Sequence, residues 1–481
     1  MSGGNGGLDP ADWREVRDLG HRMLDDLFDH LESLRDKPVW RPIPDAARAA
    51  FRSAPPREAT PLADTHQRFM DEVLPYAGGN LHPGFMGWVQ GAGTPVGMLA
   101  EMLAGGLNAN LGGRDHMPVE VEREVIGWMR QLFGFPASAS GLLVTGASAA
   151  NFIGVLVARR RALGADVRRQ GLGERGGRLV AYASAAVHGC VPRAMEMAGL
   201  GSGALRRIPT DAQHSIDLGV LKAQIAIDRR EGLTPFLIVG SAGTVDVGAV
   251  DDLDGLADIA AAEDAHLHID GAFGALGVLA PEIAPMFAGL SRADSIAFDF
   301  HKWAHAPYDA GCILVRDGDA HRETFADDAV YLARAGRGLA SGDWWPCDYG
   351  PDLSRGFRAL KVWFTLKTLG LDAIGAAIGR SCALAQTLAA HIRETPPLEL
   401  LAPVALNIVC FRYACENADA VNRAIVEDLQ EAGVVAPSLT TIDGKAAIRA
   451  ALFNHRTDQR DVEALIAGVL AFGRARAKDA A

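Results

Sequence analysis

Short apolar runs that alternate with helical stretches between about residues 75 and 371 constrain the fold of this chain most strongly. The runs are bounded by Gly, Ala and Pro, as buried strands are, and several of the intervals have helical periodicity. The predicted strands are 141–145, 178–182, 235–241, 266–269, 295–299 and 312–316, and predicted helices between them include 147–162, 220–230 and 252–262. This α/β alternation favours a mostly parallel sheet covered by helices on both faces.

Two regions of different character flank this stretch. Residues 12–35 have a helical apolar stripe and precede a Pro-rich stretch, so this helix has no core of its own and must pack on this chain or on a partner subunit. From about residue 374 the order is helix, strand, helix, strand, helix, which indicates a small α+β domain. We therefore predict an N-terminal helical and extended arm (1–74), a large α/β domain (75–373) and a small C-terminal domain (374–481).

Charge and composition exclude several classes of partner. The formal net charge is −12 with Lys and Arg spread along the chain, which argues against a nucleic acid or an anionic membrane as partner. No apolar run reaches the roughly 18–20 residues of a membrane span, and the Gly-rich first nine residues do not have the pattern of a signal peptide. The six cysteines show no metal-ligand spacing, so we expect no bound metal, free thiols and a cytoplasmic protein.

Three chemically active groups follow the ends of predicted strands. Lys302 follows the run 295–299, Asp270 follows the run 266–269, and the small-residue turn 145–149 leads into a helix. In parallel sheets such ends form one edge, where ligands bind. Pyridoxal phosphate needs an amine for a covalent link, an acid opposite its ring nitrogen and an anion site such as a helix N-terminus. The three groups together therefore indicate this cofactor.

Each of these residues also has a plainer interpretation. Most lysines are simply solvated, Asp270 could cap a following helix, and the turn at Ser148 could do no more than begin one. His188 lies either on the face of the cofactor ring or in an ordinary core or surface position. Thr244 binds the ring or a neighbour of it, or else bonds its local backbone as turn hydroxyls do.

Longer stretches resemble the group II pyridoxal phosphate decarboxylases, the family of aromatic amino acid, histidine and glutamate decarboxylases. The resemblance covers nearly the whole chain and is carried by residues 82–85, 98–103, 301–303 and 354–363. It implies the type I fold of aspartate aminotransferase, with a mostly parallel seven-stranded sheet in the large domain and a small α+β C-terminal domain. It also implies a homodimer with the active site at or near the subunit interface, the N-terminal arm packing on the partner subunit.

The resemblance assigns roles to the matching residues. It implies that Lys302 forms the covalent link to the cofactor, that Asp270 pairs with the ring nitrogen and that His188 stacks on the ring. It implies further cofactor contacts from Ala147, Ser148, Thr244, Ala272, Asp299 and His301. Tyr331 matches the residue that returns a proton to the substrate carbon, and it lies in a stretch (322–349) with the composition of a mobile lid. Without the resemblance, Tyr331 would be an ordinary surface tyrosine.

The residues predicted to face the substrate differ from those of the aromatic decarboxylases. They are Phe85, Trp88, Gln90, Asn110 and Arg355. Arg355 is expected to meet the substrate carboxylate or to stabilise the lid, because guanidinium suits carboxylates. Gln90 and Asn110 are amides in segments that supply aromatic side chains in those enzymes. Because an unpaired amide costs roughly 1–3 kcal/mol, the pocket is not expected to favour a plain aromatic side chain.

A second departure from the family lies at position 299. The aromatic enzymes have Asn there and this chain has Asp299. A carboxylate beside a phosphate is unfavourable unless it is protonated or turned toward another donor. The structure must therefore show which groups Asp299 contacts.

We predict that the protein decarboxylates an L-amino acid to the corresponding amine and carbon dioxide, through an external aldimine and a quinonoid intermediate. Tyr331 favours amine formation, because aldehyde-forming relatives tend to carry Phe at that position. The alternatives are another reaction of the same cofactor (oxidative deamination to an aldehyde, transamination or carbon–carbon lyase chemistry) or a catalytically silent paralogue that binds the cofactor. The predicted partner is a small-molecule amino acid, whose identity the sequence leaves open.

Overall fold

The computed structural model describes residues 7–327 and 334–479. The chain divides into two compact units. The first contains residues 1–88, 412–450 and 456–481, and the second contains residues 89–411 and 451–455. The predicted domain boundary at residue 374 therefore does not coincide with the division between these units.

The described elements follow the chain in this order. The helices are α1 (Trp13–Glu32), α2 (Asp45–Ala50), α3 (Leu62–Glu72), α4 (Pro95–Leu107), α5 (Met117–Leu132), α6 (Ala147–Leu163), α7 (Val167–Gln170), α8 (Gly173–Gly176), α9 (Cys190–Met197), α10 (Leu218–Arg230), α11 (Leu253–Glu263), α12 (Gly318–Phe325), α13 (Arg358–Leu369), α14 (Leu371–Glu394), α15 (Ala418–Ala432) and α16 (Gln459–Asp479). The strands are β1 (Phe85–Met86), β2 (Ser140–Val144), β3 (Leu179–Ser184), β4 (Leu205–Ile208), β5 (Thr234–Ser241), β6 (His266–Asp270), β7 (Ser295–Asp299), β8 (Gly311–Val315), β9 (Leu398–Leu400), β10 (Ile408–Tyr413), β11 (Ala436–Ile442) and β12 (Lys445–Ala451). Among the described helices, none alone is long and apolar enough to cross a membrane, and only α13 and α14, bent by 87°, meet the length and composition requirements as a pair.

The second unit is built on a seven-stranded sheet in the order β2-β8-β7-β6-β5-β3-β4. The neighbours from β4 to β7 pair in parallel, whereas β8 is antiparallel to both β2 and β7. Strands β3, β6, β7 and β8 are buried along their whole length, as expected for strands covered on both faces. The predicted mostly parallel seven-stranded sheet is confirmed.

Helix α6 packs across the centre of this sheet, and its apolar residues contribute to two core clusters. Val155 and Ala158 pack with residues of α9, β3 and β5. Ile153 and Val157 pack with residues of β2, β7 and β8. Because α6 starts immediately after β2, this packing fixes the position of its N-terminus at the edge of the sheet.

The C-terminal boundary of the large unit differs from the predicted one for a packing reason. Helix α14 belongs to the second unit, where Gly375 lies so close to the 274–279 turn that an added Cβ would be 2.1 Å from the carbonyl oxygen of Leu279. Only glycine permits this approach. The helix therefore packs on the large unit, although the composition of the chain changes before it.

In the first unit, strand β1 pairs in parallel with β11, and β11 is antiparallel to β12. The segment after α1 packs on the C-terminal part of the same chain: Arg35 forms ion pairs with Asp458 at 2.9 Å and Asp461 at 3.1 Å. In α1 itself, Leu19 is the buried residue and the remaining apolar stripe is partly or fully exposed in this single chain. The predicted packing of this arm on a partner subunit stays a prediction.

Candidate active site

The carboxyl ends of four parallel strands place polar residues along one edge of the large sheet. Strands β3, β5, β6 and β7 end at Ser184, Ser241, Asp270 and Asp299, and all four residues are buried. Ligands of open α/β sheets bind at such an edge. The turn that follows β7 carries Lys302.

The Lys302 amine forms an ion pair within its own turn. Its Nζ lies 3.0 Å from Oδ2 of Asp299, and its side chain is 19% exposed. His301 Nε2 lies 3.5 Å from the same oxygen, and its Nδ1 accepts the Ala310 N–H at 3.1 Å. Burial lowers the pKa of His301 below its ordinary value. Lys302 is thus partly buried but still reachable from solvent.

The other oxygen of Asp299 lies at the N-terminus of α6. Oδ1 accepts the backbone N–H of Ala147 at 2.7 Å. The first N–H groups of a helix have no partner inside it and favour anions. The carboxylate is therefore turned toward other donors, which is one of the two conditions under which an acid is tolerable here. Ala147 is buried and the adjacent Ser148 is exposed.

Gly311 sets the spacing between this helix start and the lysine turn. In the sheet register, Gly311 pairs with Val144 of β2 on one side and with Asp299 of β7 on the other. A Cβ at this position would lie 2.4 Å from Gly146 Cα and 2.7 Å from Asp299 Oδ1. The absence of a side chain lets the anion-binding turn and the amine-bearing turn approach each other.

Asp270 ends strand β6 and is 5% exposed. Its Oδ1 accepts the Ala272 N–H at 3.1 Å, and the Cys190 thiol lies 3.8 Å from Oδ2. The helical turn that follows begins at Gly274 with Phe273 in the cap position, so the interpretation of Asp270 as a helix cap is wrong. A buried carboxylate needs donors or a cation, and a protonated ring nitrogen would supply one.

His188 and Thr244 both bond their local backbone. His188 is exposed, and its Nδ1 accepts the Cys190 N–H at 3.2 Å at the start of α9. Thr244 is buried, and its Oγ1 accepts the Ala249 N–H at 3.0 Å. This is the local backbone bond that the sequence predicts as the alternative to cofactor binding. Their predicted contacts with the cofactor stay predictions.

Two of the predicted substrate residues, Arg355 and Asn110, make hydrogen bonds within the second unit. Arg355 is buried and donates to Glu122 at 2.5 and 3.0 Å and to the carbonyl oxygens of Leu111 and Leu143. Asn110 Oδ1 accepts two backbone N–H groups, of Gly112 and of Arg355 itself. Both side chains are therefore held by contacts within the chain, and the predicted contact of Arg355 with the substrate carboxylate or with the lid stays a prediction.

The remaining substrate residues are placed as follows. Gln90 adjoins Gly91, whose missing Cβ would lie 2.1 Å from the His301 carbonyl oxygen and 2.7 Å from that of Lys302. Phe85 and Trp88 belong to the first unit, where Phe85 is buried and Trp88 is exposed. Tyr331 lies outside the described residues. Gln90 is therefore the predicted substrate residue that the structure brings next to the lysine turn.

The sequence interpretation missed several residues of this region. Tyr308 packs against His301 with 4.3 Å between ring centroids and 35° between the ring planes, and its position six residues after Lys302 could have identified it. Cys190 follows His188 by two residues in the same turn. Glu122 had no local signal, because its partner Arg355 is 233 residues away.

The chemical groups at this edge fit a phosphorylated pyridine aldehyde. Lys302 supplies an amine, Asp270 a buried acid at the end of the neighbouring strand, and the start of α6 an anion site that already accepts a carboxylate. These are the three groups that pyridoxal phosphate requires.

Comparisons with known proteins agree with this chemistry. Residues 44–414 match the family model described as "Pyridoxal-dependent decarboxylase conserved domain". The chain is 33% identical over 462 residues to an aromatic-L-amino-acid decarboxylase of Bacillus atrophaeus, covering 93% of each chain. It is 27% identical to tryptophan decarboxylase 2 of Oryza sativa subsp. japonica over 96% of each chain. It is 26% identical to phenylacetaldehyde synthase of Arabidopsis thaliana over 96% of this chain and 97% of the relative.

A solved structure gives the same fold. The crystal structure of Oryza sativa TDC with PLP and tryptamine superposes with a TM-score of 0.89 at 23% identity, covering 98% of this chain and all of the other. At this identity the match establishes the fold alone. It agrees with the type I architecture that the strand order indicates.

Proposed function

The chain belongs to the pyridoxal-dependent decarboxylase family and is a pyridoxal phosphate-dependent carboxy-lyase, and on that premise we propose that it converts one L-amino acid to its amine and carbon dioxide. The observation that supports this proposal is the arrangement at the sheet edge, where Lys302, Asp270 and the start of α6 lie at or just after the ends of strands β7, β6 and β2. The family supports amino acid decarboxylation in general. The amine product and the identity of the substrate are the proposed part.

The residues of this chain would divide the work as follows. When bound, the cofactor supplies a protonated pyridine ring that accepts the electrons left behind as carbon dioxide departs. Lys302 holds the cofactor through its amine, and Asp270 keeps the proton on the ring nitrogen by pairing with it. The first N–H groups of α6, with Ser148, bind the phosphate. His188 restrains the ring from one face.

Two further steps concern cofactor attachment and the return of a proton to the substrate. The ion pair of Lys302 with Asp299 must open before the amine bonds to the cofactor, since an ammonium is not a nucleophile. Tyr331 then donates the proton that the substrate carbon needs after carbon dioxide has left. This role for Tyr331 comes from the family resemblance.

For the substrate we propose an L-amino acid whose side chain includes a hydrogen-bonding group. Gln90 is partly buried beside the backbone of the lysine turn, and a polar side chain would satisfy its amide. The relative at 33% identity acts, by its name, on aromatic L-amino acids, so hydroxylated aromatic substrates belong in the same test.

A screen of the twenty amino acids and simple analogues for carbon dioxide release by the cofactor-loaded protein tests the proposal. We expect release with at least one L-amino acid, accompanied by an equal amount of amine. Cofactor-loaded protein that releases no carbon dioxide from the whole panel would favour the silent paralogue instead.

A second candidate is oxidative conversion to an aldehyde, because one relative is named phenylacetaldehyde synthase. Product analysis separates the two reactions. Amine with carbon dioxide and no oxygen uptake supports decarboxylation, whereas aldehyde, ammonia, carbon dioxide and hydrogen peroxide, formed with consumption of molecular oxygen, support the oxidative route. Tyr331 favours the amine.

We also propose that the protein is a cytoplasmic homodimer with its active site near the subunit interface. In support, helix α4 exposes Met102, Leu103 and Leu107, and most of the stripe of α1 is not buried in the single chain. All six cysteines are free, as in a reducing compartment. Sedimentation of the cofactor-loaded protein would test the dimer, and a monomeric active enzyme would contradict it.

A further inference from the structure

A line of buried polar side chains runs from Asp270 into the interior, away from the site. On strand β6, His266, His268 and Asp270 share one face because side chains two residues apart in a strand point the same way. Strand neighbours and helix residues connect them through hydrogen bonds. The members of this line are His266, Ser295, His268, Asn151, Cys190 and Asp270, each less than 8% exposed.

The contacts along the line are continuous. Ser295 Oγ lies 2.8 Å from His266 Nε2 and 2.7 Å from His268 Nδ1. His268 Nε2 lies 2.7 Å from Asn151 Oδ1, and Asn151 Nδ2 lies 3.3 Å from Cys190 Sγ. Cys190 Sγ then lies 3.8 Å from Asp270 Oδ2.

The backbone makes room for this line. The imidazole of His268 lies against Gly154 of helix α6, where an added Cβ would be 2.6 Å from two ring atoms. Any side chain at position 154 would push His268 away from Asn151, one turn earlier on the same helix. The helix and strand β6 thus lie close enough for a direct bond between their polar side chains.

Both histidines in the line are neutral at ordinary pH. Burial lowers the pKa of His268 to about 3 and that of His266 to about 4. A neutral imidazole has one N–H donor and one acceptor nitrogen. Each member other than Asp270 can therefore donate to one neighbour and accept from the other, and the line admits two consistent directions.

The acid at the end selects the direction. An ionised carboxylate only accepts, so the Cys190 thiol must donate to Asp270 and accept from the amide of Asn151. Asn151 then accepts from His268 Nε2–H, Ser295 donates to His268 Nδ1, and His266 Nε2–H donates to Ser295. Every donor points toward Asp270, and hydrogen bonds aligned in one direction strengthen one another.

We propose that Cys190, Asn151, His268 and Ser295 are positioning residues that hold Asp270 as an acceptor carboxylate for the cofactor ring nitrogen. This inference rests on the proposed function, because it assigns the line to the acid that pairs with the ring. A donor on Oδ2 and the Ala272 N–H on Oδ1 fix the orientation of the carboxylate. None of the four touches a reacting atom of the substrate in this assignment.

The first test compares two substitutions at one position. Cys190→Ala removes the donor, whereas Cys190→Ser replaces the thiol with a hydroxyl that still donates. Cys382→Ala is the matched control, since Cys382 is equally buried but belongs to α14 and lies outside the line. We expect Cys190→Ala to weaken pyridoxal phosphate binding roughly tenfold. Cys190→Ser and Cys382→Ala should stay near the wild-type affinity, and equal affinities for all three variants would overturn the proposal.

The second test measures the direction of hydrogen-bond donation along the line in cofactor-free protein. The infrared S–H band of Cys190, isolated as the difference between wild type and Cys190→Ser, should lie at lower frequency than the band of Cys382, because its thiol donates to a carboxylate. Ser295→Ala removes the donor to His268 without touching Cys190. It should raise the frequency of the Cys190 band, and an unchanged band would contradict a directed line.

Different outcomes would overturn the proposed function and the role of the positioning residues. If wild-type protein formed no covalent link with pyridoxal phosphate, the proposed function would fail, while the infrared bands would still report on the line. If wild type bound cofactor and turned over substrate but the bands of Cys190 and Cys382 coincided, only the assignment of the four positioning residues would fail.

Discussion

The amine of Lys302 and the carboxylate of Asp299, three residues earlier, form an ion pair of 3.0 Å at the edge of the large sheet. The same carboxylate also accepts the N–H of Ala147 at 2.7 Å. One acid therefore touches both the amine that we propose bonds the cofactor aldehyde and the helix start that we propose binds its phosphate. Cofactor binding must rearrange these contacts.

Asp299→Asn should tighten binding of pyridoxal phosphate. Removing the negative charge ends its repulsion of the phosphate, while the amide oxygen can still accept the Ala147 N–H. We expect the dissociation constant to fall roughly tenfold, about 1.4 kcal/mol, in titrations of cofactor-free protein. Asp309→Asn, in the loop that follows and paired with Arg358, is the control that should leave affinity unchanged. Weaker binding by Asp299→Asn would show that the carboxylate assists the cofactor.

Lys302→Ala should abolish both turnover and the covalent link. Borohydride reduction of the loaded wild-type protein should add the cofactor mass to the peptide that contains Lys302, and no such peptide should form in the variant. Lys222→Ala, on an exposed position of α10, should behave as wild type. Substantial turnover by Lys302→Ala would remove this lysine from the mechanism.

The Arg355–Glu122 pair should matter for stability rather than for substrate affinity. Both side chains are 1% exposed, and breaking a buried pair leaves an uncompensated charge that costs about 3–5 kcal/mol. Arg355→Met should therefore lower the free energy of unfolding by that amount, and the double variant Arg355→Met, Glu122→Leu should recover most of it. We expect the double variant to keep a KM near that of wild type. A strongly raised KM in the double variant would return Arg355 to the substrate site.

Three buried neutral histidines should make the fold sensitive to acid. Burial lowers the pKa of His266 to about 4 and those of His268 and His321 to about 3, against an ordinary value of 6.5. The unfolded chain therefore takes up protons first as pH falls. The contribution of these neutral histidines to the free energy of unfolding is fully present above about pH 6.5. It is lost as pH falls toward 4 for His266 and toward 3 for His268 and His321, by at most about 1.4 kcal/mol per pH unit for each histidine.

Urea unfolding at intervals between pH 7.5 and 5 measures this loss. His321→Gln should have a shallower decline of unfolding free energy with falling pH than wild type, whatever its stability at pH 7.5. His321 bonds Ser140 at 2.7 Å and lies outside the line that ends at Asp270, so the change should leave the cofactor site intact. Parallel slopes would mean that His321 takes up protons equally in the folded and unfolded states, so that burial does not lower its pKa.

Tyr331→Phe should redirect the product. Without the hydroxyl, the substrate carbon has no donor at this position, so aldehyde, ammonia and peroxide should rise at the expense of amine. Tyr349→Phe is the control that should keep the amine. Unchanged amine yield from Tyr331→Phe would show that another group donates the proton.

The sequence predicted the parts of this structure that local pattern determines. Asp270 and Lys302 were identified because buried strands have a distinct apolar pattern and their ends form one edge. Strand β4 was missed because its centre is Arg206-Arg207, which suits its place at the edge of the sheet beside β3 but hides its strand character. A polar edge strand does not have the apolar pattern on which the prediction depends.

Contacts between distant parts of the chain could not be predicted in this way. Asp299 bonds Ala147, which lies 152 residues away, and no property of either segment specifies that bond. The partner of Arg355 is set by the packing of α5 against β2, so the local sequence did not predict that the guanidinium is buried against Glu122. The local sequence identifies the chemical groups, whereas tertiary packing determines which of them are in contact.

Because Gly311 lies between Val144 and Asp299, a single strand spaces the two halves of the cofactor site. A strand can shift against its neighbours only by whole residues of about 3.4 Å, and a shift of one residue turns every side chain to the opposite face. The separation of the two halves therefore cannot drift by small steps as the sequence diverges. Changes in which amino acid is accepted should therefore come from side chains around the rim, while the distance from the Lys302 turn to the start of α6 stays fixed.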